Sequence, residues 1–260
     1  MCDLPPCGIR AWFYLSMSRL FGFYYGKIGD SMFDRTINLI GEENFKKITN
    51  TTVAVIGLGG VGGYAVESLI RSGISSIILV DYDTIEISNI NRQIIAAQKH
   101  IGYFKVDEME KRILNIHPTC KITKLYDKLS IDNIESLFSY SFDYVIDACD
   151  TISVKEELIK RCLEKNIKII SCMGTGNKLD PSQLEISDIW KTSYDPIAKK
   201  IRKYLKDQKI YQKVPVVYSK EQNKKFEGCI PSMIFVPATA GILCANYVIR
   251  DIIANFSEQK

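Results

Sequence analysis

Between residues 57 and 105 the chain gathers side chains suited to holding a polyphosphate. Gly57, Gly59 and Gly62 give the spacing G-x-G-x-x-G, and Gly60 and Gly63 adjoin it. The glycines come after a short apolar run, 53–56, that reads as a buried strand. They precede a segment in which Ala65, Val66, Leu69 and Ile70 recur at helical spacing. A glycine turn between strand and helix lets anionic oxygens approach the backbone, and the amides and dipole of the helix start favour their charge. A second apolar run, 77–80, ends in Asp81, at about the interval where an acidic side chain meets a ribose hydroxyl.

Those features alone also fit an ordinary nicotinamide- or flavin-binding unit. The chain beyond them is richer: Asp81, Tyr82 and Asp83, then Asn89, Arg92 and Gln93, then Lys105. Arg92 offers a bidentate fork for phosphate oxygens and Lys105 a point charge, with Asn89 and Gln93 as further polar contacts. Asp150, at the end of a later apolar run, is suited to Mg²⁺, which favours carboxylate and phosphate oxygens. A redox coenzyme does not require an arginine, a lysine and a second acid in one crevice. A nucleoside triphosphate with its metal does, because phosphoryl and nucleotidyl transfer rest on positioning and charge neutralisation. The set therefore favours ATP and Mg²⁺ over NAD.

The elements that must carry these residues alternate along the chain. Strands are expected over 53–56, 77–80, 144–148 and 167–172, with an edge strand at 121–125. Helices are expected over 33–40, 42–48, 106–116, 131–138 and 154–166. The alternation predicts an α/β fold, a Rossmann-like doubly wound and mostly parallel sheet, which binds ligands outside its strands' carboxyl ends. Asp195 before Pro196 predicts a helix start, with Ile197, Ile201, Tyr204 and Leu205 on its apolar face. Residues 229–249 carry no charge. They read as a strand over 232–237 and a core helix over 238–253 rather than a membrane span, because prolines and glycine interrupt the run. The chain thus divides into three segments: an extension, 1–31, disordered or preceding the true start; a nucleotide-binding part, 32–180; and residues 181–260, a basic helical and strand extension completing the same fold.

The chain has 260 residues, 46% hydrophobic and 25% charged, the profile of a soluble globular protein. Eight cysteines occur with no C-x-x-C pair, which argues for reduced thiols in the cytoplasm rather than disulfides or a structural zinc site. Cys172 and Cys229 are candidates for a thioester, although a buried free thiol is commoner. The only histidines, His100 and His117, read as structural. Net charge is +4, yet residues 191–225 hold 11 basic and 3 acidic residues, a surplus of +8 that leaves the remainder at −4. Lys199, Lys200, Arg202, Lys203 and Lys206 concentrate it on one helix, the footprint of a polyanion partner, or else a solvated surface.

The runs GLGGVGG and LVDYDTIEISNINRQ, then Lys105, then DACDT, resemble the ThiF/MoeB superfamily, the ubiquitin-activating-enzyme-like fold. The run CMGTGNKLDPSQLEISDIWKTSYDPIAKKIRKYLK is similar to one branch of it, the tRNA threonylcarbamoyladenosine dehydratases. The resemblance implies adenylation of a carboxylate with ATP and Mg²⁺ on a tRNA substrate. It implies that Gly57, Gly59, Gly60 and Gly62 shape the nucleotide loop and that Asp81 binds ribose. Asn89, Arg92, Gln93 and Lys105 would contact phosphates, and Asp150 would bind Mg²⁺. Arg35 would reach the phosphates of the partner in a homodimer. It further admits a sulfur-transfer protein as a partner and a monovalent cation in the loop 174–180. The alternative within the superfamily is an activator of a ubiquitin-like or sulfur-carrier protein. A non-enzymatic nucleotide sensor would need the glycine loop alone.

Overall fold

The computed structural model describes residues 31–222, 228 and 230–254. The extension before residue 31, Cys229, and Lys224 and Lys225 of the basic segment lie outside the described residues. The expected strands form as β1 (Thr52–Ile56), β2 (Ser76–Val80), β3 (Lys121–Leu125), β4 (Tyr144–Asp147) and β5 (Lys168–Cys172). Two more, β6 (Leu184–Asp188) and β7 (Pro215–Ser219), are additional to those expected. The sheet runs β3-β2-β1-β4-β5-β7-β6, with every pairing parallel except β6 against β7. The chain winds outward from β1 to one edge and then from β4 to the other. The strand order reverses between β1 and β4, which opens a crevice at their carboxyl ends.

Among the described residues seven α-helices flank the sheet: α1 (Asp34–Ile40), α2 (Glu42–Asn50), α3 (Gly62–Arg71), α4 (Lys105–Ile116), α5 (Ile152–Glu164), α6 (Pro196–Asp207) and α7 (Phe235–Ala254). One apolar layer joins α3, α4 and α7 to the sheet through Val66, Leu69, Met109, Cys244 and Val248. The other joins α5 and α6 through Leu158, Ile159, Ile201 and Leu205. Parallel strands covered on both faces read as continuous apolar runs, which is why β1, β2 and β4 were legible.

Two expectations are corrected. The helix expected over 131–138 is a 3₁₀ turn, Ile134–Ser139, which buries only Ile134 and Leu137. Two buried residues three apart suit a short turn that needs no further contact. The strand expected over 232–237 does not form, because α7 already begins at Phe235. Pro237 falls in its first turn, where an N–H has no helical partner and its loss costs nothing. The helix α7 is long and apolar enough to cross a membrane, yet Val236, Ala240, Cys244, Ala245 and Val248 are buried within the fold, packed largely on α3.

Candidate nucleotide-binding crevice

At the carboxyl ends of β1, β2 and β4 lies a cavity of about 320 Å³. Its floor is the glycine turn between β1 and α3. Gly57 adopts φ +87°, and a Cβ there would sit 2.8 Å from the Ala148 carbonyl oxygen. A Cβ on Gly62, the first residue of α3, would overlap the Gly57 carbonyl oxygen. Both positions therefore need glycine, and the turn stays open to a ligand on its other side.

Asp81, just past β2, is fixed from two directions. Its Oδ2 accepts from the Leu58 amide at 2.6 Å and its Oδ1 from the Asp83 amide at 2.8 Å. Burial pushes its carboxyl up, an effect opposed by Lys105 and by those two amides. Lys105, the first residue of α4, is 5% exposed. Its ammonium donates to Asp83 at 2.7 Å and lies 4.0 Å from Asp81. Asn89 accepts from the Glu86 amide at 3.1 Å and so closes the 3₁₀ turn Ile87–Asn89. Arg92 points along the same wall, its Nη1 donating to Ser88 O at 2.8 Å and Asn91 Oδ1 at 3.0 Å. Gln93 is 6% exposed, and its Oε1 has no protein partner. A buried amide left unpaired at the rim of a cavity is a group whose partner comes from a ligand or water.

Asp150 stands exposed on the opposite wall, with the Thr151 hydroxyl 3.4 Å from its Oδ1. The crevice thus brings together Gly57, Gly59, Gly60, Asp81, Asp83, Asn89, Arg92, Gln93, Lys105 and Asp150. Residues that motif and spacing did not single out complete it. Lys128 faces Tyr82, already named beside Asp81, with its ammonium 5.0 Å from the ring centroid, and Asp127 and Leu129 flank it. Their signal was position, since 127–129 lies just past the carboxyl end of β3. Thr175, Ser232 and Pro237 close the far side, where Asn91 Nδ2 donates to Ser232 O at 2.9 Å. No local pattern could have found these, because they arrive from later in the chain.

Other candidates lie elsewhere. Arg35 is exposed on α1 and does not line the crevice of its own chain. Lys199, Lys200, Lys203 and Lys206 are exposed on α6, but Arg202 differs. Its guanidinium donates to the carbonyls of Ile189 and Thr192 and to the Thr192 hydroxyl, tying the helix to the preceding turn. Cys172 is buried in β5. His100 meets Ile95 O at 3.0 Å and Glu108 at 3.4 Å, and His117 packs edge-on against Phe33.

A model of the ThiF family matches residues 33–258. The chain belongs to the ThiF family. Within it, the chain is 40% identical over 239 residues to the tRNA threonylcarbamoyladenosine dehydratase of Bacillus subtilis, covering 85% of this chain and 94% of that one. It is 38% identical to the Escherichia coli enzyme of the same name over 67% of this chain and 65% of that one. The crystal structure of the E. coli dehydratase TcdA in complex with ATP superposes with a TM-score of 0.83 at 32% identity, covering 88% of this chain and 96% of the other.

The residues present fit Mg²⁺. Among the described residues no three acidic, histidine or cysteine side chains form a cage; of the carboxylates that line the crevice, Asp81 and Asp83 are engaged by Lys105, which leaves Asp127 and Asp150 as the acids with no lysine or arginine partner there. Mg²⁺ is commonly held by one or two carboxylates and substrate oxygens. In the loop 174–180 Lys178 is buried, its ammonium 3.3 Å from the buried Asp195 carboxylate.

Proposed function

We propose that this protein is an ATP-dependent tRNA threonylcarbamoyladenosine dehydratase, a cytoplasmic ligase that cyclises the threonylcarbamoyl group on an anticodon-loop adenosine. The observation that carries the reading is the convergence of Asp81, Arg92, Lys105 and Asp150 on one crevice beyond the glycine turn. The extent of the match to the dehydratases supports the substrate.

A carboxylate is a poor electrophile because oxide is a poor leaving group. Its oxygen attacks the α-phosphorus of ATP, and the bond to pyrophosphate breaks. In this site Asp81 accepts from the ribose, and the turn around Gly59 and Gly60 bounds the phosphates. Arg92 and Lys105 neutralise charge that grows as pyrophosphate departs. Asp150 would hold Mg²⁺, which adds charge neutralisation at the phosphate oxygens. The ureido oxygen of the same modification then attacks the activated acyl carbon. The ring closes, AMP leaves with one carboxylate oxygen, and the ureido proton passes to solvent. Attack within one molecule has an effective molarity on the order of 10⁵ M or more, so no enzyme nucleophile is needed. Cys149 lines the crevice, but burial and then the neighbouring Asp147 carboxylate push its thiol well up, which keeps it protonated.

The exposed lysines of α6, Lys199, Lys200, Lys203 and Lys206, offer the polyanion contact. Family likeness extends the proposal to a homodimer in which Arg35 of one protomer reaches the crevice of the other, and to docking of a sulfur-transfer protein. The test is incubation with ATP, Mg²⁺ and tRNA bearing the threonylcarbamoyl modification. Loss of one water from that nucleoside by mass analysis is expected. An unchanged nucleoside, with pyrophosphate exchange that depends instead on a small protein ending in Gly-Gly, would assign the crevice to carrier-protein activation.

A further inference from the structure

Behind the crevice lies an ion pair that no substrate contact requires. Asp147, the last residue of β4, is 0% exposed, and Lys155, in the first turns of α5, is 1% exposed. Lys155 Nζ donates to Asp147 Oδ2 at 2.9 Å. The same oxygen accepts from the Ser171 hydroxyl of β5. Asp147 Oδ1 accepts from the Cys149 amide at 3.2 Å and the Cys149 thiol at 3.1 Å. One carboxylate therefore joins β4, β5, α5 and the turn over 148–151.

A pair this deep is poor evidence for stability, since the cost of removing both charges from water can exceed their attraction and apolar residues of like volume often serve as well. Its geometry suggests a different use. Asp150 is the next residue after Cys149 and is itself exposed, so its own packing does little to place it. Holding the Cys149 amide fixes the backbone from which Asp150 projects. Burial favours a neutral Lys155, but the Asp147 charge outweighs it and the ammonium is retained.

We infer that Asp147 and Lys155 are positioning residues, whose buried pair, with Ser171, sets the turn that aims Asp150 into the crevice. The inference rests on the reading of Asp150 as the Mg²⁺ ligand. Outer partners that hold a metal-binding group typically matter about 10–100-fold in metal affinity although they never touch the metal.

The experiment compares the full-length protein with the double variant Asp147→Asn/Lys155→Met, which removes both charges together and leaves neither unpaired. Three quantities are read: the thermal midpoint, ATP affinity by calorimetry with and without Mg²⁺, and the rate at which iodoacetamide alkylates Cys149. Cys149 suits this because it is the one free cysteine among the described residues that is not buried. The expected result is a folded variant whose ATP affinity without Mg²⁺ is unchanged, while the gain conferred by Mg²⁺ falls about tenfold or more. Asp147 itself pushes the Cys149 thiol up, so the rates are compared per thiolate after the thiol is titrated in each protein; on that scale Cys149 should alkylate severalfold faster as the turn loosens. A folded variant with the wild-type Mg²⁺ gain and wild-type alkylation rate overturns the inference. Should the double variant not fold, Ser171→Ala removes one neutral donor and should move both readouts in the same direction by less. Unchanged values there are equally fatal. If the wild-type protein itself gains no ATP affinity from Mg²⁺, the reading of Asp150 fails instead, and the alkylation rates alone decide whether the pair holds the turn.

Discussion

The ammonium of Lys105 lies 2.7 Å from Asp83 and 4.0 Å from Asp81, so one cation serves both carboxylates at the end of β2. Asp81 is buried, and burial already pushes its carboxyl up; Lys105 opposes that. Removing the cation in Lys105→Met should raise the Asp81 carboxyl further. A folded-state value above the unfolded one means stability that is full below the unfolded value and is lost as pH rises through the folded value. The variant's thermal midpoint should therefore fall below wild type by more at pH 7 than at pH 5. An equal deficit at both pH values would show that Asp81 does not depend on Lys105.

Arg92 carries the clearest catalytic prediction. Its guanidinium is held along the crevice wall by Ser88 and Asn91, an arrangement that fixes direction without neutralising charge. Arg92→Ala should abolish adenylation, a loss of ~10³ or more in rate for removal of one charge stabiliser. The thermal midpoint should stay near wild type. The assay is substrate-dependent release of pyrophosphate.

Gly57→Ala tests the turn. The new methyl would be 2.8 Å from the Ala148 carbonyl oxygen, and φ there is +87°. The left-handed conformation alone costs a residue with a side chain about 1–2 kcal/mol. Both stability and ATP affinity should fall, read by denaturant unfolding and calorimetry. An unaltered ATP affinity would mean that the ligand does not depend on this turn.

Much of the crevice was legible in the chain because it is assembled mainly from strand ends. The runs ending in Ile56, Val80 and Asp147 are buried on both faces, so each reads as an unbroken apolar stretch, with its polar residues directly after it. The antiparallel edge was harder to read. Leu184, Ile186 and Asp188 on β6 are only half-buried, so their strand shows no continuous apolar run. The start of α7 was misread because Pro237 signals a break, whereas in a first turn it is compatible with helix. Arg202 shows the limit of charge counting. It belongs to the basic run by sequence, and only the fold reveals that its guanidinium is engaged by Ile189 and Thr192. The wall from Thr175, Ser232 and Pro237 depends on tertiary closure alone.

The lysines of α6 make the nucleic-acid prediction. Replacing Lys199, Lys200 and Lys203 with glutamine should weaken tRNA binding and flatten its dependence on salt, by roughly 0.7–0.9 in log–log slope for each phosphate no longer neutralised. ATP affinity should not change, because these side chains do not line the crevice. An unchanged salt slope would return them to the role of solvated surface.

Adenylation in this crevice requires that AMP be joined to a carboxylate of the tRNA modification before the ring closes. The decisive experiment labels both oxygens of the threonyl carboxylate of the tRNA with a heavy isotope, runs the reaction to completion with ATP, and weighs the AMP released. One labelled oxygen in each AMP formed is expected. Unlabelled AMP accompanying a dehydrated nucleoside would contradict the acyl-adenylate.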